Sequence, residues 1–287
     1  MVKQGDPRAL AIHMGALGDF VLALPALAEI ARTHELEAWG PSVERLSIAL
    51  APRGPLARVR RLPDSLFGDE PVKLDFDRVF VFARREGPLA KNLPDAVFLP
   101  IDGPGHVSDV LLAALAPSPR EAGRGLGWGV PFLEAPPHPT SPPLRGGEEM
   151  LLIHPGAGGK GKRWPAARFA EVARRSPLEV ACVLGPAELD PPDPELRIAS
   201  RVIEAPTLDD LVRLLARARV YLGNDAGVTH LAAALGVRTV ALFGPTDPAR
   251  WGPRGRSVTI VRAPAGDLSK LDVETVLAAV FISGTSI

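Results

Sequence analysis

The sequence predicts an α/β protein with mainly parallel sheets, organised as two domains. Short apolar segments typical of buried strands alternate with segments of helical spacing, and this alternation favours parallel sheets. Residues 134–149, EAPPHPTSPPLRGGEE, are rich in proline, glycine and polar residues, a composition typical of an extended linker. We therefore place the boundary near residue 145, between an N-terminal domain of residues 1–145 and a C-terminal domain of residues 146–287.

The composition is that of a globular protein and argues against several functional classes. The 287 residues, 46% hydrophobic and 23% charged, are enough for two domains with their own cores. The 33 basic and 33 acidic residues balance, so no nucleic-acid partner is expected. We find no apolar run of about 18 residues and no signal-peptide pattern. Cys182 is the single cysteine, which excludes an intrachain disulfide and a cysteine metal cluster. We expect a cytoplasmic protein.

The N-terminal domain begins with a strand, a glycine turn and a helix. Residues 9–14 predict a strand, and residues 20–33 predict a helix because their apolar residues recur at helical spacing. Pro25 then falls in the first turns of the helix, where proline is tolerated. Asp19 lies at the turn, where the helix N-terminus favours a carboxylate anion. From these residues alone, Asp19 is either a helix cap or a base that points into a cleft.

Further strands and a helix complete the predicted N-terminal domain. We predict strands at residues 37–39, 47–50, 59–62, 77–82 and 96–99, and a helix at 106–115. Arg84 and Arg85 follow the buried strand at 77–82. They therefore lie at its carboxyl end, the side on which open α/β sheets bind their ligands.

A glycine-rich loop follows the first strand of the C-terminal domain. The strand at residues 151–154 leads into PGAGGKGKRWP, residues 155–165, and then into a helix at 166–175. Pro165 suits the first position of that helix. A second strand at 179–184 leads to Gly185 and Glu188, and an acid at this place could bind a ribose hydroxyl.

Two phosphate-binding patterns fit this loop incompletely. Gly156, Gly158 and Gly161 match the dinucleotide pattern G-x-G-x-x-G, but other residues separate the third glycine from the helix. Gly156, Gly161 and Lys162 match most of a P-loop, but Arg163 stands where Ser or Thr would bind Mg²⁺. What remains is a flexible, cationic glycine loop suited to a diphosphate, with a plain surface loop as the alternative.

A third segment predicts a second loop at the same edge of the sheet. The predicted elements are an amphipathic helix at 208–216, a strand at 220–222, the turn GNDAG at 223–227, a helix at 229–235, a left-handed cap at Gly236, a strand at 237–243, the loop GPTDP at 244–248, a strand at 256–261 and a terminal helix at 271–281. Helix N-termini bind phosphate, and Gly227 allows close approach of the backbone. Asp225 is a cap or a ligand group, and His230 a core or a site residue. The two loops at neighbouring strand ends indicate a shared cleft.

Three motifs of the chain resemble glycosyltransferase family 9, the ADP-heptose:lipopolysaccharide heptosyltransferases. They are GALGDFVLALPAL at 15–27, HPGAGGKGKRWPAARFAEVA at 154–173, and GNDAGVTHLAAALG followed by ALFGPTDPARWGP within 223–253. They occur in the order found in the family and in both halves of the chain. The resemblance implies the GT-B architecture, in which two Rossmann-like domains with mainly parallel sheets face a cleft. In the family the acceptor binds the first domain, the donor binds the second, and the last helix often packs back on the first domain.

The resemblance also implies roles for individual residues. Asp19 would be the general base of an inverting transfer, Lys162 would bind the donor phosphates, Glu188 the nucleoside and Asp225 the sugar. The full set of expected donor-binding residues is Gly156, Ala157, Lys162, Glu188, Asp225, Ala226, Gly227 and Val228. We assign the acceptor to Gly15, Gly18, Arg84 and Arg85. Because the sequence suggests no carboxylate cluster for a metal, helix dipoles and Lys162 would stabilise the leaving group.

The sequence therefore predicts a metal-independent, inverting glycosyltransferase. It would move a sugar, expected to be heptose, from an ADP-sugar to a lipopolysaccharide core or a related surface glycan, without a cofactor and with at most peripheral contact with the inner membrane. Two other hypotheses remain: an NAD(P)-dependent oxidoreductase that uses the G-x-G-x-x-G at 156–161, and a non-catalytic nucleotide-sugar-binding protein. His13 stands where the family often has arginine, and the first half is short. The acceptor, the donor sugar and the oligomeric state do not follow from the sequence.

Overall fold

The chain forms two compact units, Met1–Leu133 and Glu134–Ile287. The computed structural model describes residues 7–41, 56–68, 70–99, 101–115, 150–189, 194–199 and 201–282. Each unit is built on its own sheet, and every pair of neighbouring strands is parallel. The predicted boundary near residue 145, the linker at 134–149 and the strand at 47–50 lie outside the described residues.

The first unit is a five-stranded sheet, within the described part of the chain. Its strands are β1 (Arg8–His13), β2 (Glu35–Trp39), β3 (Leu56–Arg60), β4 (Arg78–Phe82) and β5 (Val97–Phe98), in the spatial order β3-β2-β1-β4-β5. Its helices are α1 (Leu17–Ile30), α2 (Gly87–Asn92) and α3 (Val107–Leu115), with a 3₁₀ turn at Asp64–Phe67. The chain runs outward from β1 to β3 on one side and from β4 to β5 on the other. The strand order therefore reverses between β1 and β4, where doubly wound sheets bind ligands.

The helix α1 begins three residues earlier than the sequence predicts, and this changes the position of its proline. Ala16 is the N-cap, so the helix starts at Leu17 and Pro25 lies in its interior, not in its first turns. Because proline has no N–H, Pro25 gives the carbonyl of Val21 no helical hydrogen bond. The helix nevertheless continues to Ile30, since its apolar face is buried and it packs against α3. The Ser108 hydroxyl of α3 donates to the carbonyl of Leu22 at 2.8 Å.

The second unit is a six-stranded sheet among the residues described. Its strands are β6 (Met150–His154), β7 (Glu179–Leu184), β8 (Arg201–Glu204), β9 (Ala218–Asn224), β10 (Arg238–Phe243) and β11 (Val258–Arg262), in the order β11-β10-β9-β6-β7-β8. Its helices are α4 (Ala166–Arg175), α5 (Pro186–Leu189), α6 (Leu208–Ala216), α7 (Gly227–Ala234), α8 (Pro248–Trp251) and α9 (Val273–Leu277). There are 3₁₀ turns at Lys160–Lys162, Pro194–Leu196, Pro264–Gly266 and Leu268–Lys270, and a π-helical turn at Ala278–Ile282. The order reverses between β6 and β9.

Most predicted elements of the second unit are confirmed, with shifts at their ends. The strand β7 and the helices α4 and α6 have the predicted bounds, and Gly236 ends α7 with a φ of 78°. Pro165 is the N-cap of α4 and not its first residue. The strand β9 continues past residue 222 because Gly223 and Asn224 still pair with β10. The predicted helix at 271–281 is a short α9 followed by the π-helical turn.

The terminal segment packs within the second unit. The helix α9 lies against α4, and the buried indole of Trp164 donates to the carbonyl of Leu271 at 2.9 Å. Val276 and Val280 are fully buried in the same apolar core. Packing of the last helix on the first domain remains a prediction. None of the helices described is both long and apolar enough to cross a bilayer.

Candidate functional site

The glycine loop and the Asp225 turn leave the second sheet side by side. The strands β6 and β9 are neighbours at the point where the strand order reverses, and His154 of β6 pairs with Gly223 of β9. The chain leaves β6 into the loop at 155–165 and leaves β9 into the turn at Asp225. Because both strands are parallel, the two loops lie at the same edge of the sheet. The prediction that the two loops lie on the same side of the sheet is confirmed.

Asp225 joins three segments of the second unit. Its carboxylate Oδ2 accepts from Lys162 Nζ at 2.7 Å and from the Thr246 hydroxyl at 2.6 Å. Lys162 belongs to the glycine loop, and Thr246 belongs to the GPTDP loop after β10. His230 Nε2 lies 3.8 Å from Oδ1 of the same carboxylate, too far for a direct hydrogen bond. The glycine loop, the Asp225 turn and the GPTDP loop therefore converge on one buried carboxylate.

The interpretation of Asp225 as a helix cap is wrong. The N-cap of α7 is Ala226, and among the described residues no side chain makes a cap hydrogen bond to the first turn of the helix. Burial by itself would raise the pKa of Asp225, but interactions with His230, Lys162 and Thr246 outweigh it and lower the pKa to about 2. Asp225 is therefore an anion at neutral pH. Its Oδ2 accepts from the two neighbouring loops, and its Oδ1 faces His230 of α7.

The N-terminus of α7 supplies the group of donors that the sequence predicts. The first N–H groups of an α-helix have no acceptor within the helix, and no side chain in the described part of the chain caps this one. Ala226, Gly227 and Val228 are half-buried and carry these groups beside Asp225. Such a terminus also has a partial positive charge, so the arrangement suits an anion such as a phosphate.

Glu188 lies beneath the beginning of the glycine loop. It is 4% exposed, and its Oε2 accepts from the N–H of Gly185 at 3.0 Å. A Cβ added at Gly156 would lie 2.3 Å from Glu188 Oε1, so only glycine allows this close packing. Arg163 Nη2 is 3.5 Å from the same oxygen. Glu188 is therefore fixed at the base of the loop, and its predicted contact with a nucleoside remains a prediction.

His154 is buried at the end of β6, beside Glu188 and Gly156. Burial lowers the pKa of His154, although the nearby charge of Glu188 raises it in part. Its Nδ1 has no hydrogen-bond partner among the described residues. His154 is thus a neutral ring packed under the loop.

Arg163 is a site residue that the sequence did not assign. Its guanidinium donates to the carbonyl of Ala157, from Nη2 at 3.1 Å and from Nε at 3.3 Å. At the position where a P-loop has Ser or Thr, this chain therefore has a cation whose hydrogen bonds join two parts of the same loop. Gly161 lies in the 3₁₀ turn and α4 begins only at Ala166, so the third glycine does not contact the helix as the dinucleotide pattern requires.

In the first unit, Asp19 caps the helix that follows β1. Its Oδ2 accepts from the N–H of Ala16 at 3.1 Å, which confirms the capping interpretation. This bond uses one oxygen of the carboxylate, and a carboxylate has capacity for several more. Capping therefore does not exclude a role as a base. Asp19 is half-buried.

Gly15 is wedged between Asp19 and His13. A Cβ at Gly15 would lie 2.8 Å from both Asp19 Cβ and His13 Cε1. His13 is 3% exposed and packs edge-on to Phe20. Burial lowers the pKa of His13 to about 4, although backbone hydrogen bonds raise it in part. His13 is therefore neutral at physiological pH, and any side chain at Gly15 would displace Asp19 or His13.

The proposed acceptor residues Arg84 and Arg85 are engaged within the first unit. Arg84 makes a bidentate pair with Asp102, through Nε at 2.5 Å and Nη2 at 3.0 Å. The hydrogen bonds and charge of Asp102 raise the pKa of Arg84. Arg85 donates to the carbonyl of Pro94 at 2.6 Å and lies over the Phe98 ring. Gly18 belongs to the first turn of α1. Acceptor binding by these residues remains a prediction.

The described parts of both units contain no group of three or more His, Cys, Asp or Glu residues arranged to hold a metal ion.

The fold and site define the chain as a two-unit α/β protein with a candidate anion-binding site at the switch point of its second sheet. A family model described as glycosyltransferase family 9 (heptosyltransferase) matches residues 133–280. The chain belongs to this family.

Curated relatives match parts of the chain. Lipooligosaccharide heptosyltransferase 2 of Haemophilus influenzae is 30% identical over 140 residues, which are 45% of this chain and 40% of that protein. Lipopolysaccharide heptosyltransferase 1 of Escherichia coli K12 is 36% identical over 76 residues, which are 26% of this chain and 24% of that protein. The matched stretches thus span less than half the length of these relatives.

Solved structures match over nearly the whole chain. E. coli heptosyltransferase WaaC with ADP has a TM-score of 0.66 at 20% identity, over 94% of this chain and 97% of that chain. E. coli ADP-heptose LPS heptosyltransferase II has a TM-score of 0.72 at 18% identity, over 95% and 97%. This likeness concerns the fold. It confirms the α/β, GT-B type of fold that the sequence predicts, with mainly parallel sheets in both units.

Proposed function

We propose that this protein is an inverting glycosyltransferase that moves heptose from ADP-heptose to a lipopolysaccharide core or a related surface glycan. The observation that carries the proposal is the convergence of Lys162, Asp225 and Thr246 beside the N-terminus of α7. The relatives named above are heptosyltransferases, and one solved neighbour holds ADP. An oxidoreductase would need the third glycine against a helix, and Gly161 does not reach α4.

The second unit is proposed to bind the donor. Lys162 and the N–H groups of Ala226, Gly227 and Val228 would contact the diphosphate, and the backbone of Gly156 and Ala157 would lie beside it. Asp225 would accept hydrogen bonds from hydroxyls of the sugar, and Glu188 would hold the nucleoside. As the bond from the sugar to the diphosphate breaks, Lys162 and the helix N-terminus stabilise the developing negative charge. These groups need no metal ion, so we propose a metal-independent transfer.

The first unit is proposed to bind the acceptor and supply the base. Asp19 would accept the proton of the acceptor hydroxyl while the hydroxyl oxygen forms a bond to the anomeric carbon of the donor sugar. The oxygen attacks opposite the departing diphosphate, so the configuration at that carbon inverts. Gly15 keeps the surroundings of Asp19 free of a further side chain. Since the proposed acceptor is a glycolipid, we propose a cytoplasmic protein in peripheral contact with the inner membrane.

Nucleotide binding and turnover test this function separately. Calorimetry would compare ADP-heptose and ADP with UDP- and GDP-sugars and with NAD(P), and we expect the ADP compounds to bind most tightly. Release of ADP would then be followed with a heptose-deficient lipopolysaccharide core as acceptor. Preference for NAD(P) would favour the oxidoreductase. Donor binding without turnover on any core acceptor would favour a non-catalytic binding protein.

A further inference from the structure

Asn224 connects the two ends of the glycine loop. It is the last residue of β9, immediately before Asp225, and its side chain is fully buried. Its amide Nδ2 donates to the carbonyl of Pro155 at 2.8 Å, and its Oδ1 accepts from the N–H of Trp164 at 3.0 Å. The loop residues 156–163 lie between these two contacts. One side chain therefore closes the base of the loop that carries Lys162.

The middle of this loop has little packing of its own. A Cβ added at Gly158, Gly159 or Gly161 would meet no atom within 4 Å. Glycine also gives the backbone more conformational freedom than any other residue. The loop is therefore held mainly at its ends and by the contacts of Lys162 and Arg163, so the closure made by Asn224 governs where Lys162 lies.

The same residue is fixed to the helix α7. The Thr229 hydroxyl donates to the backbone carbonyl of Asn224 at 2.5 Å, and the buried Tyr221 hydroxyl lies 3.0 Å from that hydroxyl. Thr229 is in the first turn of α7. Asn224 thus contacts the glycine loop through its side chain and the start of α7 through its backbone.

We propose that Asn224 is a positioning residue, which sets Lys162 at the correct place relative to Asp225 and the N-terminus of α7. The proposal rests on the proposed function, because a diphosphate is the ligand that would bridge these groups. When the cation and the helix N-terminus are already held in place, the binding of a diphosphate does not include the free-energy cost of ordering the loop. Removal of the closure should therefore weaken diphosphate binding more than nucleoside binding.

The chain supplies a matched control in Asn92. This asparagine is also fully buried, and its Nδ2 donates to the carbonyls of Leu66 at 3.0 Å and Gly68 at 2.8 Å. It belongs to the first unit, whereas the glycine loop belongs to the second. The experiment compares Asn224→Ala and Asn224→Asp with Asn92→Ala. Asp at 224 retains an acceptor for Trp164 but sets a carboxylate oxygen against the carbonyl of Pro155, so it opens the loop at its Pro155 end without leaving a cavity.

Limited trypsin digestion reports on the loop without any ligand. Lys160, Lys162 and Arg163 are cleavage sites within it. We expect cleavage at these sites to accelerate about tenfold in the Asn224 variants, the effect of losing a buried hydrogen bond, and to stay unchanged in Asn92→Ala. Mass spectrometry of the fragments identifies the sites. Unchanged cleavage at 160–163, or acceleration at sites throughout the chain, would overturn the proposal.

Nucleotide binding gives the second measurement. The dissociation constant of ADP should rise about tenfold in the Asn224 variants, while that of adenosine changes by less than about twofold. Equal losses of ADP and adenosine would indicate general damage and overturn the proposal. A parent protein that binds neither compound would contradict the proposed function instead, and the digestion would then decide the role of Asn224 alone.

Discussion

Each sheet places an aspartate beside the point where its strand order reverses, and the surroundings of the two aspartates differ. Asp19 follows β1, on one side of the reversal in the first sheet, and Asp225 follows β9, the strand next to β6 in the second. Asp225 is buried and accepts from Lys162 and Thr246, whereas Asp19 is half-buried and accepts from one backbone N–H. A carboxylate that already has two side-chain donors is suited to hold a ligand. A carboxylate with a single backbone donor is suited to accept a proton.

Replacement of Asp19 tests this difference most strongly. Asn at position 19 keeps an oxygen that can accept from the N–H of Ala16 and loses only the charge near the helix N-terminus, which contributes about 0.3–1 kcal/mol, so Asp19→Asn should fold and keep its affinity for ADP. Turnover with a core acceptor should fall by about two to four orders of magnitude, the usual effect of losing a general base. Initial rates of ADP release give the measurement. A variant that is stable, binds donor and transfers sugar at the parent rate would refute the role of Asp19.

The neutral His13 beside Asp19 should make the first unit sensitive to acid. Burial lowers its pKa from 6.5 to about 4. The unfolded chain therefore binds a proton below pH 6.5, while the folded chain binds it only near pH 4. The contribution of His13 to the free energy of unfolding is fully present above pH 6.5. It decreases as the pH falls towards 4, by about 3 kcal/mol in total. Hydrogen exchange of the β1 amides would measure the loss.

The matched variant for this prediction is His13→Gln, which removes the titrating group. Its stability between pH 6.5 and 4 should depend less on pH than that of the parent, whatever its absolute value. A parent and variant with the same slope would show that His13 titrates normally or that other groups cause the acid sensitivity.

Lys162→Ala tests the cation of the second site. Loss of a charge-assisted hydrogen bond to a diphosphate costs roughly 1.5–3 kcal/mol, so the affinity for ADP should fall about tenfold or more. Lys160→Ala is the control, because Lys160 is an exposed lysine of the same loop. Calorimetry would compare the two variants with the parent. Equal effects of both substitutions would mean that general charge, not the position of Lys162, attracts the nucleotide.

Local sequence patterns predicted the regular elements well and the site only in part. Near-continuous apolar runs identified β4, β7 and β10, and helical spacing gave the bounds of α4 and α6, since these signals lie within a few residues. The cap interpretation of Asp225 failed because its donors come from Lys162, 63 residues away, and Thr246, 21 residues away. The role of Asn224 was missed for the same reason. Pro25 was misplaced because Ala16, a weak N-cap residue, begins the helix.

The smallest expected effect is that of a substitution at Asp225, which should weaken the binding of the sugar but not that of the nucleotide. Asp225→Asn keeps the shape of the side chain but removes the charge that pairs with Lys162 at 2.7 Å. Because Lys162 is partly exposed, it can turn from position 225 to a diphosphate, and the affinity for ADP should stay the same or improve by about two- to fivefold as the lysine is released. The affinity for ADP-heptose should fall relative to ADP, since a neutral amide accepts hydrogen bonds from sugar hydroxyls less strongly than a carboxylate.

Calorimetry with both compounds gives the ratio of the two affinities. The control is Thr246→Val, which keeps the charge of Asp225. A variant that loses ADP and ADP-heptose equally would show that Asp225 fixes the loops and does not hold the sugar. The proposed difference in function between Asp225 and Asp19 would then be supported by Asp19 alone.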